Sequence, residues 1–490
     1  MHSITADSVA QVVREVIPRL ACALSCDVMT ALQDAREHER APLGRFALEM
    51  LCENARIAEC EHVPLCQDTG SVHVCLEIGP DTCVAGDVFS QVDAAVAAAY
   101  TACGLRKSLV CDALLNRANT SDNTPAFCEL RTSVQPGARL SVMLKGGGSD
   151  NASRVVMLPP GSGRAGIVEA VCACVREKAA NACPPLVIGV GIGATFDKVP
   201  GLAKRALLRE VGSRNAQQHV AEFEDELRAS VNAMGVGAGG MGGAATALAV
   251  HVETAPCHIA ALPVAINMGC NSLRRITFDL DTNDMWYAHG NKVNGCQAAQ
   301  GMDLAVDLSA FNPKRLTLPF NPDELACLHA GEVCLISGPA YTLRDAGHER
   351  LLSEMDANGK PDMLPYGLTG QTIFYAGPTP APANKSLPFG AIGPTTASRM
   401  DFAAPRLYRA GIAATVGKGR RSAEVRTACA EANAVYLTTV GGAAALLARC
   451  VESSETIAYE DLGTEALRRV MLRDFPVVVS IDSRGDSLYD

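Results

Sequence analysis

Three cysteines stand in company that a buried core does not need. Cys66 lies in "PLCQDTG", Cys183 in "NACPPLVIG" and Cys270 in "INMGCNSLRR". Each occupies a Pro- or Gly-marked loop beside an apolar run, and loops at strand ends are where sites are usually built. A thiolate in such a place serves as a nucleophile or a metal ligand. Behind Cys66 follow an amide, a carboxylate and a hydroxyl, from Gln67, Asp68 and Thr69. On spacing alone the three cysteines give no metal signal, because they are far apart in sequence. Three unrelated thiols remain the simpler reading at this point.

The wider composition bounds what that chemistry can be. The chain has 490 residues, 48% hydrophobic and 20% charged, which fits two or more globular domains. Its net charge of −10 and lack of a long basic run argue against general nucleic-acid affinity. It contains 20 cysteines, mostly single and in apolar stretches, and no CxxC pair. That pattern fits a reduced protein using Cys as a small hydrophobe, with no support for a zinc ribbon or a thioredoxin-type motif. The first residues carry Asp7 and Arg14 inside an apolar pattern and do not read as a signal peptide. The longest uncharged run, Ala229 to Val252, is too rich in glycine for a membrane helix. The expectation is a soluble, cytoplasmic protein.

The elements that must position these residues follow from periodicity. Residues 1 to about 60 read as helical, "SVHVCLEIG" (71–79) as a strand and Ala94–Cys103 as a helix. "ARLSVMLKGG" and "PPLVIGVGIG" read as strands running into glycine loops. "GLAKRALLREVG" (201–212) reads as an amphipathic helix with Gly212 as its C-cap. Between about 307 and 324 the chain has three prolines and two Asn-Pro pairs, the best candidate for an interdomain link. Beyond it short apolar runs alternate with helices near 422–433 and 441–451, as in a mixed α/β domain.

Two glycine runs imitate a dinucleotide fingerprint, "GVGIGA" (Gly189–Ala194) and "GAGGMG" (Gly237–Gly242). That fingerprint needs a helix to open inside the glycines, so that its N-terminus meets the pyrophosphate. After the first run the helix starts near 201, too late. Before the second run "ELRASVNAMG" reads as a helix, not a strand. Both are read as turns where backbone passes close to something.

In order along the chain stand "PLCQDTGSVHV", "LRKSLV…NRANTSDNTPA", "KGGGSDNASRVVMLPP", "NACPPLVIGVGIGATFDK" and "ALPVAINMGC". They are followed by "SGPAYTLRDAGHERL", "IFYAGPTPAP", "GAIGPTTASRMD", "GKGRRSAEV" and "YEDLGTEALRRVMLRDFPVVVSIDSRG". This series closely resembles the class I, iron–sulfur-dependent fumarate hydratases and the related L-tartrate dehydratases, over nearly the whole chain. The resemblance implies an α/β and α+β protein of two domains. Residues 1–305 would be an α-subunit-like, mixed α/β cluster-binding domain. Residues 311–490 would be a β-subunit-like, swivelling β/β/α-type domain.

The resemblance further implies a 4Fe–4S cluster held by Cys66, Cys183 and Cys270, with one iron free of protein ligands. Electron-transfer clusters are ordinarily held by four thiolates, and an open position gives one iron a Lewis-acid role. By motif position Thr395 is the proton-transfer residue and Asp68 its activating carboxylate, with Thr396 the competitor to Thr395. Gln67, Arg106, Gly147, His258, Arg344, Arg399 and Lys418 match substrate-binding positions. Guanidinium forks suit carboxylates because they bind at two points. The implied reaction is reversible hydration of fumarate to S-malate by a homodimer. The alternatives are an L(+)-tartrate dehydratase or mesaconate hydratase of the same family and, remotely, an NAD-dependent dehydrogenase resting on the glycine runs.

Overall fold

The long strand Leu467–Ile481 explains much of the second half of the chain. It pairs antiparallel with Val333–Thr342, Val435–Thr438 and Val451–Ala458. Between its first two partners run Thr372–Phe374 and Ala414–Gly417, all parallel to one another. Because one strand pairs with both Val333–Thr342 and Val435–Thr438, the seven-stranded sheet closes on itself. Near-continuous apolar runs such as "PVVVSI" suit strands buried on both faces. The computed structural model describes residues 2–280, 285–288, 308–357, 359, 362–382 and 387–489.

The first half holds two further large sheets. One has five strands, in the order Trp286–Ala288, Arg274–Leu280, Ala138–Lys145, Ser71–Ile78 and Phe127–Thr132. The other has four: Arg154–Leu158, Leu262–Gly269, Leu186–Ala194 and Ala247–Cys257. Cys66 and Asp68 precede Ser71–Ile78, Gly147 follows Ala138–Lys145, and Cys270 follows Leu262–Gly269. Cys183 ends the short 3-10 turn Ala179–Ala182 with φ 60°, in the left-handed region that a β-carbon disfavours. Such a conformation persists where the surroundings dictate it, commonly at functional sites.

Three helices fill most of the first 60 residues, Ala6–Cys22, Cys26–His38 and Pro42–Glu61. Thr5 caps the first by accepting a hydrogen bond from the Ser8 amide, and Pro42 opens the third, where its missing N–H costs nothing. One apolar cluster spans both halves of the chain, joining Phe46, Leu51 and Ile57 to Ile336, Leu437 and Val478. Phe46 also meets Phe311 edge-on, ring centroids 5.4 Å apart.

Two sequence expectations change, and a third falls outside the described residues. The helix at 201–212 runs from Val199 to Ala206 and ends in tight turns, so Gly212 does not cap it. The candidate link is not a link over its described part. Lys314–Thr317 is an edge strand of the seven-stranded sheet, Pro322–Ala326 is a helix, and Leu316, Leu318 and Phe320 are buried. The prolines mark edge and helix-start positions, where they are tolerated. Residue 305, the expected end of the first domain, lies outside the described residues.

The second glycine run is a turn with close backbone contacts, as expected, whereas the first makes such contacts from inside the strand Leu186–Ala194 and is not a turn. Gly189 and Gly191 lie inside a strand, and β-carbons there would stand 2.1 and 2.5 Å from the Ala203 and Val199 carbonyl oxygens. They let the helix Val199–Ala206 lie directly on the sheet, leaving no room for a pyrophosphate. At Gly237 a β-carbon would stand 1.9 Å from the Gly242 carbonyl oxygen. Among the described residues no helix is long and apolar enough to cross a membrane.

Candidate active site at the seam between the two halves

Asp68 is the hub of the first half's contribution. Its Oδ2 accepts a 2.9 Å hydrogen bond from the Gly147 amide, and its Oδ1 lies 3.1 Å from Arg106 Nη2. Arg274 donates to its backbone carbonyl at 2.8 Å. Burial alone would raise this carboxyl. The Arg106 and Arg274 guanidiniums, the Gly147 N–H and Arg344 outweigh burial and hold it below the usual range. Asp68 is therefore ionised at neutral pH.

Cys66, Cys183 and Cys270 come from three different loops and act on one another electrostatically. Burial pushes the Cys66 thiol up to about 11, with the Asp68 carboxylate and the other two thiols adding to the rise and Arg274 opposing it. Cys183 is raised by burial too, against Lys418. The Lys418 ammonium, from the second half, lies 2.5 Å from Cys183 Sγ. Burial would lower its pKa, but Cys183, Cys66 and Cys270 outweigh burial and raise it. A β-carbon on Gly148 would lie 3.7 Å from the same ammonium, so the "GGG" loop faces it as well.

The second half closes over Cys183 with two glycines. A β-carbon on Gly441 would stand 2.6 Å from Cys183 Sγ, and one on Gly442 2.1 Å from Asn271 Oδ1. Asn271 Nδ2 donates to the Gly441 carbonyl at 2.9 Å. Among the described residues no three His, Cys, Asp or Glu are placed to hold a single metal ion. Three converging thiols with a lysine against them fit a larger, thiolate-held anionic cluster instead. The buried Nε and Nη1 of Arg274, which find no partner among the described residues, also fit an anionic group beside Cys66.

Three arginines line the same seam, each already facing a carboxylate. Arg106 faces Asp68. Arg344 Nη2 lies 3.4 Å from Glu465 Oε1. Arg399 grips Asp345 at two points, Nε to Oδ1 at 2.8 Å and Nη2 to Oδ2. Burial, with Arg106 and Arg399 adding, pulls Arg344 down to about 10, and Glu465 and Asp345 partly offset this. Arg344 therefore stays charged at neutral pH.

The threonines separate by their partners. Arg399 Nη1 donates to Thr395 Oγ1 at 3.1 Å, whereas the Thr396 hydroxyl donates to the Asn181 carbonyl at 3.4 Å. Among the described contacts Asp68 makes no hydrogen bond to Thr395. Gln67 Nε2 donates to the Pro394 carbonyl at 3.4 Å, and its Oε1 would lie 2.5 Å from a β-carbon on Gly393. Gln67 thus touches the backbone just ahead of Thr395.

His258 does not join this group within one chain. It is exposed in the turn after Ala247–Cys257, and its Nδ1 accepts from the Ala260 amide at 3.1 Å. Cys270 lies at the far end of the eight-residue strand Leu262–Gly269. At roughly 3.3 Å per residue the two ends are some 25 Å apart.

Two family profiles match the chain: "Fumarate hydratase (Fumerase)" over residues 10–279 and "Fumarase C-terminus" over residues 298–490. The chain belongs to the fumarate hydratase class I family. It is 30% identical to a putative class I fumarate hydratase of Geobacillus stearothermophilus, across 97% of this chain and 95% of that protein. It is also 30% identical to the anaerobic class I fumarate hydratase of Escherichia coli K12, across 90% of this chain and 82% of that protein. A putative L(+)-tartrate dehydratase α subunit of Methanocaldococcus jannaschii is 35% identical, across 55% of this chain and 98% of that protein. As a member of the fumarate hydratase family the chain is a hydro-lyase, with helices and sheets in two domains that match the family's N- and C-terminal parts.

Several residues of this fumarase-family site escape the sequence. Asp345 and Glu465 sit inside quoted motifs but read as ordinary surface acids. Arg274 follows Cys270 in "CNSLRR", yet nothing in the sequence shows that its side chain turns back to Asp68. Gly441 and Gly442 gave a weak signal, a Gly-Gly pair after an apolar strand, with no hint of what would approach it. Lys145, buried at a strand end, donates to Ser149 Oγ at 3.1 Å and to the Met268 carbonyl. It braces the "GGG" loop against the strand that delivers Cys270.

Proposed function

We propose that this chain hydrates fumarate reversibly to S-malate with a 4Fe–4S cluster held by Cys66, Cys183 and Cys270. The observation that carries this reading is Lys418. Its ammonium touches Cys183 and faces the "GGG" loop, which joins the cluster cysteines and the substrate loops in one site.

When bound, a cluster with one iron free of protein ligands supplies Lewis-acid polarisation of the substrate's oxygens. The protein supplies the rest. Arg106, Arg344 and Lys418 bind and orient the two carboxylates. In a water-poor pocket their charges stabilise the negative charge that builds next to the carbon losing or gaining a proton. Thr395 moves that proton. A free threonine hydroxyl is a very weak base and needs an activating partner. That partner is the Arg399 guanidinium, which lies against Oγ1 and stabilises its deprotonated form. Asp68, held ionised, orients Arg106 and the Gly147 loop. Gln67 and Gly147 border the substrate.

A second reading is L(+)-tartrate dehydration, favoured by the 35% identity to the archaeal α subunit. The substrates differ by one hydroxyl, which a pocket distinguishes by modest energies. The deciding experiment is anaerobic reconstitution with Fe(II), sulfide and thiol, followed by the rise in fumarate absorbance from S-malate, with L-tartrate and mesaconate alongside. Turnover of tartrate alone would replace the first reading. Full activity in aerobically purified, iron-free protein would end both. Activity lost in air and restored by Fe(II) with thiol is the expected pattern. The same reading includes a cytoplasmic homodimer and a second domain of the swivelling β/β/α type, the oligomer being tested by light scattering.

A further inference from the structure

The motif "YAGPTPAP" has no role so far, yet its glycine lies where two pocket arginines from opposite halves meet. Arg106 Nη1 donates to the Gly377 carbonyl at 3.1 Å. On the other side the Arg344 side chain crosses the bare α-carbon. A β-carbon there would stand 2.7 Å from Arg344 Nη1, 3.0 Å from its Cδ and 3.1 Å from the Thr464 carbonyl oxygen. Carbon contacts are comfortable only near 3.5–4.0 Å. The Thr464 oxygen is backbone and cannot rotate away, so Arg344 must yield. Gly377 does not have a positive φ, so the backbone would accept alanine there. Lack of space, not torsion, calls for the glycine.

The turn Glu460–Glu465 completes this arrangement. Thr464 approaches Gly377, and Glu465 faces Arg344 Nη2 while its Oε2 accepts from the Ala346 amide at 2.9 Å. Arg344 is thus confined between Gly377 and Glu465, with its side chain only 13% exposed. A buried, confined guanidinium binds a carboxylate without first losing rotamer freedom.

We infer that Gly377 is a positioning residue for dicarboxylate recognition, its missing side chain giving Arg344 the path into the pocket beside Arg106. The inference rests on the reading of this site as a dicarboxylate pocket. The test compares wild type, Gly377→Ala, Arg344→Ala and the double variant as anaerobically loaded holoenzymes. Two constants are read: kcat and KM for S-malate, and the inhibition constant of succinate, which binds without reacting. Gly377→Ala is expected to raise KM and the succinate constant about tenfold, with kcat within about threefold of wild type. In the Arg344→Ala background the same substitution is expected to change kcat/KM less than about twofold, because no side chain remains to be displaced. Unchanged constants in Gly377→Ala, or an equal loss in both backgrounds, would overturn the inference. Should Gly377→Ala not fold, the double variant is expected to fold, and failure of both overturns it as well. A wild type that neither turns over S-malate nor binds succinate would instead sink the dicarboxylate reading.

Discussion

Thr395 and Thr396 are neighbours of the same type, and only their partners tell them apart. Arg399 addresses Thr395, whereas Thr396 is spent on the Asn181 carbonyl. Thr395→Val is therefore expected to lower kcat by about 10²–10³-fold, and Thr396→Val by less than about tenfold. Steady-state rates at saturating S-malate check both, and equal losses would remove the distinction. Gly441 allows a second test at this scale. Its β-carbon would overlap Cys183 Sγ. Gly441→Ala is expected to take up less than about a fifth of the wild-type iron on anaerobic reconstitution, measured by iron assay and visible absorbance. The candidate cysteines were legible because their loops carry unusual neighbours. The residues that complete the site were not, because Glu465, Gly441 and Arg274 owe their roles to contacts with distant parts of the chain. His258 is the one candidate that lies apart from this group within a single chain, exposed in the turn after Ala247–Cys257.

Asn54 shows how one element holds another. From the buried face of the helix Pro42–Glu61 its Nδ2 donates to the Leu65 and Gly442 carbonyls at 3.0 and 2.9 Å. Its Oδ1 accepts from the Ala445 and Leu446 amides at 2.8 and 3.0 Å, satisfying the first turn of the helix Ala444–Arg449. Asn54→Ala leaves these buried groups unpaired and is expected to cost about 2–4 kcal/mol, read from denaturant midpoints. Several strand and helix positions were legible from apolar periodicity, as in 71–78, and "ELRASVNAMG" marked the C-terminal part of the helix Gln218–Asn232. The edge strand at 314–317 was hidden by the prolines that flank it and by its shortness, because four residues are too few to show alternation. Burial also sets an acid limit. His348, on the helix Asp345–Ala357, is held at about 4 by burial, and its Nδ1 pairs with the Arg344 carbonyl at 2.7 Å. His251 is likewise held at about 4 by burial, with Arg209 adding. Both folded values lie below the unfolded value of 6.5, so the unfolded chain gains protons first. Their contribution is complete above pH 6.5 and lost as pH falls toward 4. Stability is expected to drop by about 1–2 kcal/mol per histidine between pH 7 and 5, measured by urea unfolding. A flat midpoint across that range would contradict it.

One hydrophobic cluster spans both halves of the molecule, with the site on their seam. Phe46 and Leu51 share that cluster with Val478, and Cys183 shares a contact with Lys418. A chain ending at residue 288 is therefore expected to expose this surface and to show no S-malate turnover. Light scattering and the absorbance assay check both, and full turnover by that fragment would place the whole reaction in the first half. That two halves exist was legible from composition, but their mutual burial was not, because apolar periodicity does not name its partner. The paired charges along the seam have a consequence of their own. Arg106, Arg344 and Arg399 each rest against an internal carboxylate before any ligand arrives. On the proposed reading of this site, the pocket would act as an ion exchanger rather than an empty positive well. A dianion that reaches two guanidiniums at once can compensate for the internal contacts it weakens, whereas chloride or a monocarboxylate offsets only one. Selectivity for doubly charged ligands is thus set partly by what they must replace.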